Sequence, residues 1–206
     1  MACTATIKYV GLYTLIVKNS LLHGFSSIIT NAYLQASHVN QVEYLSVSNC
    51  SNTKSGYESI RFSTGNQGVN NTNSSLNNAI QNSGIYVYSP SSFTISHCTF
   101  SNNKVSESRC IIFYYTAITI SMSYANIVHN NSPSNGVVYI YGAGPKKMMY
   151  CIFQNNQNTL FCVSSGSLEV PHSFIDHSGS FSTSKAVSTS NLFLLSLKSH
   201  FIDSSF

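Results

Sequence analysis

The sequence predicts an all-β fold, a right-handed parallel β-helix of about eight coils that takes residues 1–206 as a single solenoid domain. Three observations carry this expectation. Only 8% of the 206 residues are charged, against about 25% in an ordinary soluble domain. In their place stand 38 Ser and 22 Asn, which disfavour helix interiors because their side chains compete for backbone hydrogen bonds. Hydrophobic residues still reach 43%, with 13 Tyr and 12 Phe, too apolar for a disordered chain. The third observation is a repeat of one short phrase, every 26 residues on average.

The phrase is an apolar anchor, one polar residue, then Asn or a small polar pair. Its anchors are Val17, Val47, Leu76, Phe100, Val128, Phe153, Ile175 and Ile202, spaced 30, 29, 24, 28, 25, 22 and 27 residues apart. Six copies place Asn two positions after the anchor, at Asn19, Asn49, Asn78, Asn102, Asn130 and Asn155. These six are expected to form a structural ladder, amide bonded to amide along the axis. Asn also tolerates the left-handed conformation that tight corners need. The low charge fits this plan, since like charges stacked every ~4.8 Å would repel.

A second strand precedes each anchor, marked by apolar pairs of period two: Ile60/Phe62, Ile85/Val87, Ile112/Tyr114, Val138/Ile140, Phe161/Val163 and Val187/Thr189. A short third strand lies between, at Phe93–Ile95, Ile118–Ile120 and Leu192–Leu194. Each unit therefore reads as three strands joined by turns, and units must stack to bury their apolar faces. Parallel crossovers favour the right-handed coil. Residues 1–84 follow the repeat less regularly than 85–206, and the Gly/Asn/Ser-rich stretch 63–83 reads as a coil with an extended loop. Gly142-Ala143-Gly144-Pro145 is a turn signal. The uncharged run Cys110–Val128, rich in β-branched residues, Tyr and Ser, reads as strands rather than as a membrane span.

Residues 93–103 (Phe-Thr-Ile-Ser-His-Cys-Thr-Phe-Ser-Asn-Asn) and 149–156 (Met-Tyr-Cys-Ile-Phe-Gln-Asn-Asn) resemble the repeat phrase of the pectin-lyase-like superfamily of right-handed parallel β-helix proteins. They look most like surface β-helix families of parasitic protists and the polymorphic outer-membrane proteins of bacteria. The resemblance covers residues 85–206 well and 1–84 loosely. It implies a cell-surface or extracellular location and an adhesion-like or structural role, with carbohydrate or a host-cell surface as partner.

Enzymes of that superfamily cleave acidic polysaccharides with clustered Asp, or with Ca²⁺ held by Asp beside a basic residue. This chain has six acids, Glu43, Glu58, Glu107, Glu169, Asp176 and Asp203. Only Asp176 and Asp203 share a repeat position, one after their anchors, with His129 and Gln154 in the same column. On adjacent coils their carboxylates would lie roughly 5 Å apart, close enough to share a proton, bind a cation or serve a retaining glycosidase. They are the catalytic candidates of the alternative reading, a lyase or hydrolase, and Ca²⁺ is the one cofactor they offer. The superfamily's glycosidase motifs (Asn-Thr-Asp, Asp-Asp, Gly-His-Gly and Arg-Ile-Lys) are missing. The expected function is therefore non-catalytic, without cofactor or metal.

The ten basic residues are scattered, so no nucleic-acid partner is expected. Of the six cysteines none forms a Cys-x-x-Cys pair. Cys98 and Cys151 share a repeat position two coils apart, too far for a disulfide. They are expected as reduced thiols in a mixed ladder with Asn126. Glycosylation sequons stand at Asn49, Asn70, Asn73 and Asn130, with Asn70 and Asn73 the expected acceptors because they fall in the predicted loop. A third functional reading is a self-associating solenoid fragment of a longer protein, joining end to end.

Overall fold

The computed structural model describes residues 5–11, 14–23, 30–36, 38–50, 58–115, 117–134, 136–176, 180–183 and 187–190. They form an all-β parallel solenoid with no helix. Every strand pairing is parallel, and each strand pairs with its counterpart one turn away.

One face is a sheet of eight strands: Ala5–Gly11, Thr30–Ala36, Glu58–Ser63, Asn82–Tyr88, Arg109–Tyr114, Val138–Tyr141, Thr159–Val163 and Ser180–Thr183. We call it the long sheet. A second sheet is bent, because each turn contributes two arms, such as Ser92–Ser96 and Thr99–Ser101, or Pro145–Met149 and Ile152–Gln154. The third side is short: Asn78–Ala79 pairs with Lys104–Val105, and single bridges continue through Asn131 to Gln157.

Apolar residues stack inward in register. Ile60, Ile85, Ile111, Val138 and Phe161 form one column of the long sheet, and Phe62, Val87, Phe113, Ile140 and Val163 the next. All ten are buried. Each such side chain contributes about 1.5–3 kcal/mol by leaving water, which no single turn could obtain alone.

Two corners shape the bent sheet, and both use left-handed backbone. At the first corner Asn19, Tyr44, Asn71, His97, Tyr124, Tyr150 and His172 have φ between 48° and 54°. The residue after each of the last six points inward: Leu45, Thr72, Cys98, Ala125, Cys151 and Ser173 are all buried. At the second corner Asn49, Leu76, Asn102, His129 and Asn155 have φ between 52° and 57°, and the next residue is again buried: Cys50, Asn77, Asn103, Asn130 and Asn156.

That inward set is the asparagine column that holds the turns together. Asn77 Oδ1 accepts from the Cys50 amide at 2.8 Å, Asn103 Oδ1 from Asn77 N at 3.1 Å, Asn130 Oδ1 from Asn103 N at 3.1 Å, and Asn156 Oδ1 from Asn130 N at 3.0 Å. Their Nδ2 groups donate to the carbonyls of Val47, Ser74, Phe100 and Ile127. Each side chain thus satisfies a buried backbone donor and a buried backbone acceptor of the turn before it.

The register differs from the expected one at several points. Of the six asparagines expected in one column, Asn130 lies in the inward one. Asn49, Asn102 and Asn155 sit one residue earlier, at the left-handed second corner. Asn19 belongs to the first corner, because Val17 pairs with Val42 rather than Val47. Asn78 starts the short third side. The inward bonds run mainly from amide to backbone, with one amide–amide contact, Asn130 to Asn156 at 3.1 Å.

In the long sheet, Ile111 and Phe113 take the core columns, one residue before the expected pair Ile112/Tyr114. Val187 pairs with Leu168 in the bent sheet, not in the long one. The described residues of Cys110–Val128 contribute to three strands, Arg109–Tyr114, Ile120–Ser123 and Asn126–Val128, and among the described residues no helix is long and apolar enough to cross a membrane. The stretch 63–83 is no extended loop: it supplies strands Asn66–Asn70, Asn73–Ser75 and Asn78–Ala79 of a regular turn. Among the described residues complete turns number about five rather than eight, with the long sheet's outer strands continuing beyond them.

Gly144 shows how tightly the turn at 142–145 is packed. A Cβ there would stand 2.2 Å from the Ile118 carbonyl oxygen, so only glycine fits. Beside it Lys146 occupies a core column between Ile120 and Leu168. It is 1% exposed, and its ammonium donates to the carbonyls of Gly144 and Ile118. Burial lowers its pKa to about 8.

Candidate functional site

The outward face of the long sheet gathers most of the chain's unusual chemistry. In-register strands place like positions one above another ~4.8 Å apart. Arg61, Tyr86, Ile112, Tyr139 and Cys162 therefore form one outward column, and Ser63, Tyr88, Tyr114 and Tyr141 the next. Tyr is suited to this surface because its ring packs against same-face neighbours while its hydroxyl reaches solvent.

The rings are ordered by one another. Tyr88 stacks on Tyr114 at 6.3 Å between centroids, and Tyr114 on Tyr141 at 5.0 Å. Tyr115, at a left-handed position with φ 53°, stands edge-on to both Tyr114 and Tyr141, at 4.5 and 5.2 Å. Desolvation first, then the neighbouring Tyr115, raise the Tyr114 phenol above its ordinary pKa. At neutral pH the Tyr114 phenol stays uncharged and able to donate.

Two guanidinium groups lie on the same face. Arg61 sits over the Tyr86 ring at 4.8 Å, and Arg109 over the Tyr139 ring at 3.8 Å. Such cation–π contacts are worth about 0.5–2 kcal/mol, and they fix the planar fork that matches a carboxylate or sulfate. Arg109 Nε is buried and meets no acceptor among the described residues. Arg61, Gln81, Asn82, Tyr86, Ser108, Arg109, Ile112 and Tyr114 line a groove of about 280 Å³, and no carboxylate is among these described lining residues. The arrangement can grip a small anionic group and offer phenol and amide hydrogen bonds around it. The period-two reading did not find this groove, because the one-residue slip assigned Tyr114 to the core.

The acid pair expected from the repeat is not assembled within the described residues. Asp176 Oδ2 accepts from the backbone amide of Asn155, and its own amide donates to the Phe153 carbonyl. It stands in the Gln154 column, while His129 lies one residue further on, at the corner. Asp203 lies outside the described residues. Among the described residues no three of His, Cys, Asp and Glu come together as a metal set.

The first corner carries an outward ring stack, His97, Tyr124, Tyr150 and His172, with centroid spacings of 5.0, 5.1 and 5.4 Å. Behind it Cys98 and Cys151 are free thiols separated by Ala125, not by Asn126 as expected. Burial pushes both up to about 12, so they stay protonated and unreactive at neutral pH. Asn70 and Asn73, the expected glycan acceptors, lie half-buried in strands; Thr72 of the first sequon points inward, and Ser75 of the second is half-buried. No protein-family model, curated protein or solved structure matches the chain.

Proposed function

We propose that this chain is a non-catalytic β-helix module of a cell-surface or extracellular protein, adhesion-like in role, which binds acidic carbohydrate through the outer face of its long sheet. One observation carries the reading. Two ring-pinned guanidinium groups share a groove whose lining holds no carboxylate. The repeat phrase's resemblance to surface families of the pectin-lyase-like superfamily supports the location. A stacked aromatic row on a rigid column suits sugar recognition, because its polar rims need no reordering to bind.

An array of uronate, sialylated and sulfated glycans, probed with and without Ca²⁺, tests it. Retention of intact acidic glycans in both conditions is expected. Release of cleaved product would overturn the non-catalytic reading in favour of a lyase or hydrolase using Asp176 and Asp203. If the chain instead acts by joining end to end, light scattering will rise with protein concentration in the absence of any glycan.

A further inference from the structure

The bent sheet carries a second groove, on a different face from the tyrosines, and Gly68 forms its floor. Gly68 is the central residue of strand Asn66–Asn70 and points outward between Gln41 of the preceding turn and Thr94 of the next. Nothing in the fold requires glycine there. It has no left-handed backbone, and an added Cβ would meet only Thr94 Oγ1, at 3.9 Å. Glycine within a strand is less stable than Ala, because it loses more backbone freedom on folding. Where packing does not call for it, it marks close approach of another molecule.

The side chains around the gap are polar and converge on it. Gln41, Glu43, Asn66, Asn70, Ser92 and Thr94 line a groove of about 370 Å³, within the range of small-ligand sites. Their mutual bonds fix them while leaving capacity to spare. Gln41 Nε2 donates to Glu43 Oε1 at 2.6 Å, and Lys18 holds the other carboxylate oxygen at 3.0 Å. Ser92 and Ser96 donate to the Oδ1 atoms of Asn66 and Asn70, both at 2.9 Å. That orientation leaves each Nδ2 as a donor. The corner repeats the notch, since Asn71 takes the place between Tyr44 and His97 in the left-handed column.

We propose that this groove binds one neutral hexose unit of a glycan, laid flat on Gly68. Asn66 and Asn70 amides donate to its oxygens, and the Gln41 carbonyl and Glu43 carboxylate accept from its hydroxyls. The carboxylate in the lining selects against the acidic sugars suited to the tyrosine–arginine groove. The site is independent of that groove, and either can fail without the other.

The test is protein-observed NMR of the ¹⁵N-labelled chain, titrated separately with methyl glycosides of glucose, galactose and mannose. At least one is expected to give saturable shifts of the Gly68, Val69 and Thr94 amides, without shifts at Tyr88, Arg109 or Tyr114. Gly68→Val fills the floor and is expected to weaken binding at least about tenfold while raising Tm, since valine suits a strand. Thr94→Val keeps the shape, removes one hydroxyl and is expected to weaken binding several-fold. Absence of saturable shifts with all three glycosides overturns the proposal. So does undiminished binding by Gly68→Val, or by Gly68→Ala if the valine variant does not fold.

Discussion

The inside of the second corner and the outside of the long sheet are both columns of one residue type repeated turn after turn, yet they do different work. Inside, Asn77, Asn103, Asn130 and Asn156 are buried, and each bonds backbone groups of the turn before it. Outside, the rings of Tyr88, Tyr114 and Tyr141 stack on each other and are only half-buried. The inner column supplies the acceptors for buried corner amides, so a change there strands them. The outer column orders a surface that the backbone does not need, so its chemistry is free to serve binding. A repeat thus separates the residues that make the column from those that use it.

The strongest break in this contrast is Asn103→Leu. It removes the acceptor for Asn77 N and the side-chain donor to the Ser74 carbonyl, leaving the buried Asn77 amide unsatisfied at about 1–3 kcal/mol. Chemical denaturation is expected to show a loss of about 2 kcal/mol or more, or failure to fold. A loss below about 1 kcal/mol would mean that water replaces the amide.

Lys146 gives a second test of what the interior tolerates. Its folded pKa, about 8, lies below its ordinary 10.5, so between these values the unfolded chain binds more protons and stability rises with pH. Relative to Lys146→Met, the native chain should gain on the order of 2 kcal/mol between pH 7 and pH 9.5. A pH-independent difference in denaturation midpoint would show that the amine is solvated.

A smaller effect separates neighbouring asparagines. Asn102 has φ 54° and is exposed, whereas Asn103 beside it is buried. Asn102→Val is expected to cost about 1–2 kcal/mol through left-handed strain, while Asn102→Gly should be nearly neutral in the same thermal melts. Tyr114→Ser, in the outer column, should cost under about 1 kcal/mol and leave the far-ultraviolet spectrum of a β-helix intact.

These neighbours also explain how much of the molecule was legible in its sequence. The solenoid could be read because Asn, small residues and apolar anchors recur at nearly constant spacing, and stacking is the only way such units bury their faces. The register was harder. Asn-Asn pairs at 77–78, 102–103, 130–131 and 155–156 offer two adjacent asparagines with different jobs, and spacing alone does not choose between corner and column. A one-residue slip exchanges inside for outside, which is why Ile112/Tyr114 read as core and the tyrosine face stayed hidden. The stretch 63–83 looked like a loop because Gly, Asn and Ser favour turns. It is a regular turn because its polar residues sit in columns that already accept them, Ser74 among them, buried between Val47 and Phe100. The acid pair rested on shared repeat position alone, and Asp176 is occupied in capping a backbone amide.

The most direct test of the functional account is the affinity of the native chain and of Arg109→Gln for the same set of acidic glycans. Arg109 lies over Tyr139 on the surface and carries no part of the inward column, so the variant should keep its fold and melt near the native temperature. The account predicts saturable binding by the native chain and a loss of roughly tenfold or more in the variant, the worth of one charge-assisted contact. Equal affinity of the two proteins, or no acidic glycan bound by the native chain, would contradict it.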